Sequence, residues 1–155
     1  MFRQMRRKEK ELDKAAVEKI LNEAHYGVVA VNGDEDYPYA FPINFAYYND
    51  KIIFHGAKSG YKNDLFSTEK KVAFTAVLEE TILAEKFDSL YKSVICFGKC
   101  HMIEDETEKK AAAFSLIEKY SSEFEKEGIE YINKATKATA VYEIEIDHIT
   151  AKEGK

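Results

Sequence analysis

Apolar residues recur along this chain with two different periods. After Asp13, Ala16, Val17, Ile20, Leu21 and Ala24 fall at helical spacing. A helix capped by Asp13 is therefore expected, with Gly27 ending its register. Beyond it the period drops to two. Residues 26–31 read as a strand and Asn32-Gly33-Asp34 as a turn. Residues 37–48 read as one long strand, with Tyr39, Phe41, Ile43, Phe45 and Tyr47 on one face. Ala40, Pro42, Asn44 and Ala46 occupy the other. Pro42 has no N–H to give a ladder, so it marks an edge or a bulge. Asn49-Asp50 turns the chain into a strand over 51–54, making a hairpin.

A short helix is expected over about 60–67, then a strand over 71–78. Residues 79–87 are mixed and favour no element. Residues 91–103 form the clearest long strand, with Val94, Cys96, Cys100 and Met102 on an apolar face interrupted by Gly98. Asp105 and Glu108 have capping-box spacing for a helix reaching about Tyr120, with Ala113, Phe114, Ile117 and Tyr120 as its buried stripe. A last strand over 141–149 alternates Tyr142, Ile144 and Ile146 with Glu143, Glu145 and Asp147. Strands joined by tight turns pair antiparallel, and no regular crossover helices separate them. The expected fold is α+β, an antiparallel barrel flanked by helices, in one domain over 1–155.

Composition narrows the function classes. The chain has 155 residues, 45% hydrophobic and 33% charged, with ten Tyr, ten Phe and no Trp. Flat side chains can fill a barrel or wall a ring-shaped ligand. A net charge of −5 argues against general affinity for nucleic acid or an anionic membrane. The first twelve residues are locally basic, with Arg3, Arg6, Arg7, Lys8 and Lys10; no apolar stretch follows, so a solvated arm is expected rather than a signal peptide or a span. On one strand, Cys96 and Cys100 stand about 13 Å apart, too far for a disulfide, which needs about 7 Å. Two unbridged thiols fit a reducing cytoplasm. No CxxC or histidine cluster has zinc spacing, so no metal is expected. His25, His101 and His148 read as surface or turn positions.

The chemistry concentrates in FHGAKSGYKNDLF, residues 54–66. A helix starting near Gly60 points unpaired N–H groups outward. Lys58 and Lys62 flank that end, Ser59 can cap it, and Gly56 and Gly60 let backbone approach a ligand. A phosphate fits such a place; so does the plain reading of a surface turn with two solvated lysines. The pattern matches neither GxxxxGK[ST] nor GxGxxG. Ala40, Asn44 and Ala46 leave a shallow bed beside Phe54 and His55. Asn44 offers a donor and an acceptor to a ring edge or to its own backbone. Gly98 permits close approach by a ligand or another backbone, or marks a bulge.

Two segments, YPYAFPINFAYYNDKIIFHGAKSGYKNDLF and YKSVICFGKCHMIED, together resemble the pyridoxamine 5′-phosphate oxidase-like, FMN-binding split-barrel superfamily, and within it the nitroimidazole-resistance (Nim) group. The likeness runs from Met5-Arg6-Arg7-Lys8 to Ile149. It implies a six-stranded antiparallel split barrel, a homodimer, and FMN at the subunit interface. It also implies that Pro42, Ile43 and Asn44 flank the isoalloxazine ring, that Phe54, His55, Gly56 and Ala57 contact ring and ribityl chain, and that Lys58 and Lys62 reach the phosphate. Gly98 belongs to the same implied flavin site. His55 stands where the family's histidine is linked to reactivity, as a proton donor or substrate contact. No arginine-containing segment follows Ile149, so pyridoxal phosphate synthesis is not expected. The expected function is a cytoplasmic FMN-dependent oxidoreductase acting on a small acceptor such as a nitroaromatic; a non-catalytic flavin- or haem-binding carrier or sensor is the alternative.

Overall fold

The computed structural model of the protein describes residues 1–154. Eight strands form one antiparallel sheet: β1 (Glu11–Leu12), β2 (Gly27–Asn32), β3 (Pro38–Ile43), β4 (Ala46–Tyr48), β5 (Lys51–Ala57), β6 (Lys70–Leu83), β7 (Asp88–Met102) and β8 (Thr139–Gly154). Their order is β3-β2-β6-β7-β8-β5-β4, with β1 paired to β8. Six strands are long and two are short, as an open split barrel requires. Four helices accompany them: α1 (Lys14–Glu23), α2 (Tyr61–Leu65), α3 (Glu106–Tyr120) and α4 (Glu125–Ala135). Among the described residues, no helix is long and apolar enough to cross a membrane.

Helix α1 starts as its sequence dictates. The Asp13 carboxylate accepts from the Ala16 N–H at 3.0 Å. Val17, Ile20 and Leu21 are buried, each such side chain stabilising by about 1.5–3 kcal/mol. They join Phe45, Phe74, Val94 and Ile144 in the main core. Helix α3 packs outside the barrel on β4 and β5, around a second small core of Ile53, Leu116 and Val141.

Several expectations need correction. The single strand over 37–48 is two strands broken at Asn44-Phe45, because β3 pairs with β2 whereas β4 pairs with β5. Alternation persists through the break, so the pattern alone hides it. Pro42 does sit on an edge strand. Strand β5 runs three residues past Phe54, placing His55, Gly56 and Ala57 in a ladder with β8. The ambiguous residues 79–87 finish β6 and turn into β7, with Phe87 at φ 51°. Helix α4 was not anticipated. The buried residues of α3 are Lys109, Ala112, Ser115 and Leu116, one position off the expected stripe, with Ala112 and Leu116 packed on Ala46, Ile53 and Val141 of the sheet. The basic arm is not a free tail either: Glu11 and Leu12 pair with Lys152 and Ala151.

Candidate functional site at the barrel split

No ladder joins β3 to β5 or β4 along the open side. Aromatic rings bridge the gap instead. Phe41 of β3 lies 6.0 Å from Phe54 of β5 and 6.3 Å from Phe66, which follows α2, between ring centroids. Helix α2 closes one end of this split. Its N-cap is Gly60 at φ +108°, a conformation glycine adopts without steric cost. Ser59 makes no capping bond, contrary to expectation. The Tyr142 hydroxyl donates to Asn63 Oδ1 at 3.4 Å, tying the helix to β8. With only five residues, α2 adds little dipole, so the lysines must carry any attraction for an anion.

Lys62 and His55 come together here. The Lys62 ammonium lies 4.7 Å from the centre of the Phe41 ring, a cation–π contact across the split. His55 stands on the outward face of β5. Burial, and then the Lys62 charge, hold its imidazole below the ordinary 6.5. It is therefore mainly neutral at pH 7, with one N–H to donate and one lone pair to accept. His55 also borders a slot of about 80 Å³ walled by Leu116, Ile117, Ile132 and Val141.

Lys58 leans elsewhere. Burial first, and then the Lys58 charge, lower the pKa of Lys109, while Glu106 raises it. Lys109 is almost wholly buried and donates to the Thr136 carbonyl. Its sequence signal was a lysine inside the apolar face of α3, which the stripe assigned one position away concealed. Among the described residues, Lys58, Lys62 and Lys109 make no ion pair with a carboxylate. Cations without a carboxylate partner fit a phosphate-bearing ligand, and of these Lys62 is the one that lies at the split.

The remaining predicted residues divide by face. Of the expected bed of Ala40, Asn44 and Ala46, Ala40 and Asn44 are exposed, as is Pro42, whereas Ala46 is buried in the small core under α3 because it falls on β4 beyond the break. Ile43 and Phe54 are buried in the core and offer a ligand only backbone. Asn44 Nδ2 donates to the His25 carbonyl at 3.0 Å, so its amide serves backbone. Tyr120 pins the same break: its hydroxyl accepts from the Phe45 N–H at 3.1 Å and donates to the His25 carbonyl at 2.6 Å. Sequence reading gave Tyr120 only a packing role. Gly98 lies apart from this cluster, at the β7–β8 register shift. A Cβ there would stand 2.3 Å from the Glu145 carbonyl oxygen, so the neighbouring backbone accounts for the glycine.

Other reactive side chains are structurally engaged. Cys96 and Cys100 are free and buried; burial pushes the Cys96 thiol up to about 12 and the Cys100 thiol higher still, so neither is nucleophilic at neutral pH. His101 and His148 are half-buried strand residues, not turn positions. His101 Nε2 lies 2.8 Å from Glu143, and with Glu145 these groups are close enough to hold a metal ion. The Lys51 ammonium, 3.4 Å from Glu143 and 3.9 Å from Glu145, already supplies a positive charge there.

Comparison with known proteins sets this geometry in context. The chain superimposes on a candidate 5-nitroimidazole antibiotic resistance protein from Bacteroides thetaiotaomicron with TM-score 0.78 and 26% identity, over 93% of this chain and 86% of that one. A FAD and haem binding protein from Mycobacterium smegmatis matches with TM-score 0.73 and 18% identity, over 94% and 74%. The flavocytochrome Anf3 from Azotobacter vinelandii matches with TM-score 0.74 and 21% identity, over 97% and 72%. At those lower identities the likeness shows the fold alone. No curated protein matches the sequence. The family model described as pyridoxamine 5′-phosphate oxidase matches residues 13–153, and the chain belongs to that family.

Proposed function

We propose that this chain binds FMN at the barrel split and acts as a Nim-like oxidoreductase on small acceptors such as nitroaromatics. The observation that carries the reading is the meeting of Lys62 and His55 at the split, beside the exposed residues Ala40, Pro42 and Asn44. Lys62, with Lys58, holds the phosphate. Pro42 and the backbone of Ile43 and Asn44 support the ring, steadied by the Tyr120 anchor. The Phe54 backbone, Gly56 and Ala57 line the path between. When bound, the flavin supplies two-electron transfer from a nicotinamide donor. The nitro group takes two electrons and two protons and loses one oxygen as water. His55, on the outward face of β5 and with a ring nitrogen free to take up a proton, relays one of those protons from solvent. The protein works as a homodimer in the cytoplasm.

The test starts with the absorption spectrum of freshly purified protein and identification of any released chromophore. FMN is expected, together with nitroaromatic reduction driven by NADH or NADPH. Protein that stays colourless with excess FMN, without the thermal shift a ligand imposes, overturns the reading. The names of the M. smegmatis and A. vinelandii neighbours favour one second reading, a flavin- or haem-binding carrier. Tight flavin binding with no turnover across a broad acceptor panel selects it.

A further inference from the structure

The basic arm takes no part in the site at the split, yet the structure holds it against the sheet. At one end, β1 pairs with β8. At the other, the Phe2 ring stacks on His148 at 4.8 Å and 6°, and on Phe97 at 5.5 Å and 12°. Between these anchors the chain bridges β7 and β8 and encloses a cleft of about 320 Å³. That volume lies at the lower end of small-molecule sites, about 300–1,000 Å³.

Arg3, Arg6, Arg7 and Lys152 line the cleft, and no carboxylate does. Glu9 answers Arg7. Arg3 and Arg6 have no carboxylate partner among the described residues. In a chain of net charge −5, this is a local concentration of positive charge, not a general bias. Guanidinium groups present forked donors that match phosphate oxygens. The floor is different in kind: Ile95 is 51% exposed and Phe97 40%, leaving apolar surface beside the charges. Cations alone would suit inorganic phosphate; cations beside partly exposed apolar surface, at Ile95 and the part of Phe97 that Phe2 leaves uncovered, suit phosphate joined to a flat ring.

We propose that this cleft binds a nucleotide, with its phosphates on Arg3, Arg6 and Lys152 and its base against Ile95 and Phe97. The site is separate from the split and does not depend on flavin chemistry there.

Calorimetric titration of the protein as purified, at low ionic strength, tests it with ADP as probe. One ADP per chain is expected, with adenosine and inorganic phosphate each at least tenfold weaker. The double variant Arg3→Ala/Arg6→Ala should weaken ADP at least tenfold. Ile95→Ser should weaken ADP but leave inorganic phosphate unchanged, and Lys62→Ala should leave ADP affinity unchanged. Three results overturn the proposal: ADP displacing FMN from the wild type, unaltered ADP affinity in the double arginine variant, or binding to phosphatidylglycerol vesicles by a protein that ignores ADP.

Discussion

The barrel is closed in two different ways on its two sides. From β2 through β6 and β7 to β8, neighbouring strands share long backbone ladders, interrupted only by register shifts, and their inward side chains include Val29, Phe74, Val94 and Cys96, almost without solvent contact. Between β3 and β5 there is no ladder, and rings and one ammonium span the gap. A ladder fixes strand separation and satisfies every backbone group. A bridge of side chains fixes less and leaves room beside it. Lys62, which has no carboxylate partner among the described residues, sits on the second side, where a ligand can supply what the ladder does not.

Substitutions can press on this contrast. On the laddered side, Phe74→Ala should cost about 3–5 kcal/mol in denaturant unfolding, since a buried ring leaves a cavity there; a loss below 1 kcal/mol would show that this side is not the rigid one. At the split, Lys62→Ala should weaken FMN about ten- to a hundredfold, the worth of a charge-assisted contact of about 1.5–3 kcal/mol, with little change in unfolding midpoint. Equal flavin affinity in the two proteins would remove Lys62 from the phosphate site. Glycines sharpen the comparison further. Gly98→Ala should destabilise by about 1–3 kcal/mol through overpacking against the Glu145 carbonyl. Gly56→Ala, whose added Cβ would meet only Tyr142 at 3.8 Å, should be close to neutral. Reversed ranks would contradict the close β7–β8 approach. The smallest effect concerns His55. Its folded midpoint lies below 6.5, so between the two values the unfolded chain binds more protons and this group's contribution to stability falls as pH drops through that window. NMR titration should find the midpoint below 6.5 in the wild type and nearer 6.5 in Lys62→Ala.

Much of the laddered side was legible because one face of each strand is buried. The alternation of Val94, Cys96, Cys100 and Met102 has a single physical meaning, and the Asp13 cap is a local bond three residues long. The split was less legible. The break at Asn44-Phe45 is set by two different partner strands and by the Tyr120 hydroxyl, seventy-five positions away from Phe45. Lys58 and Lys62 look equivalent in the sequence, four residues apart; tertiary packing sends one toward Lys109 and the other over Phe41. Helix α4 was missed because residues 125–135 offer few apolar positions, with only Gly128 and Ile132 buried.

Strand β8 is the hub of the sheet, pairing with β1, β5 and β7. Beyond its hairpin mate β4, β5 has no other ladder partner. The histidine-bearing strand is thus held in place by a segment more than eighty residues further along the chain. Contacts that distant form slowly, whereas β6 and β7 meet through a short turn. Amides of Phe54 to Ala57 should gain exchange protection after those of β6 during refolding, so that the chain builds its frame before it can receive any passenger.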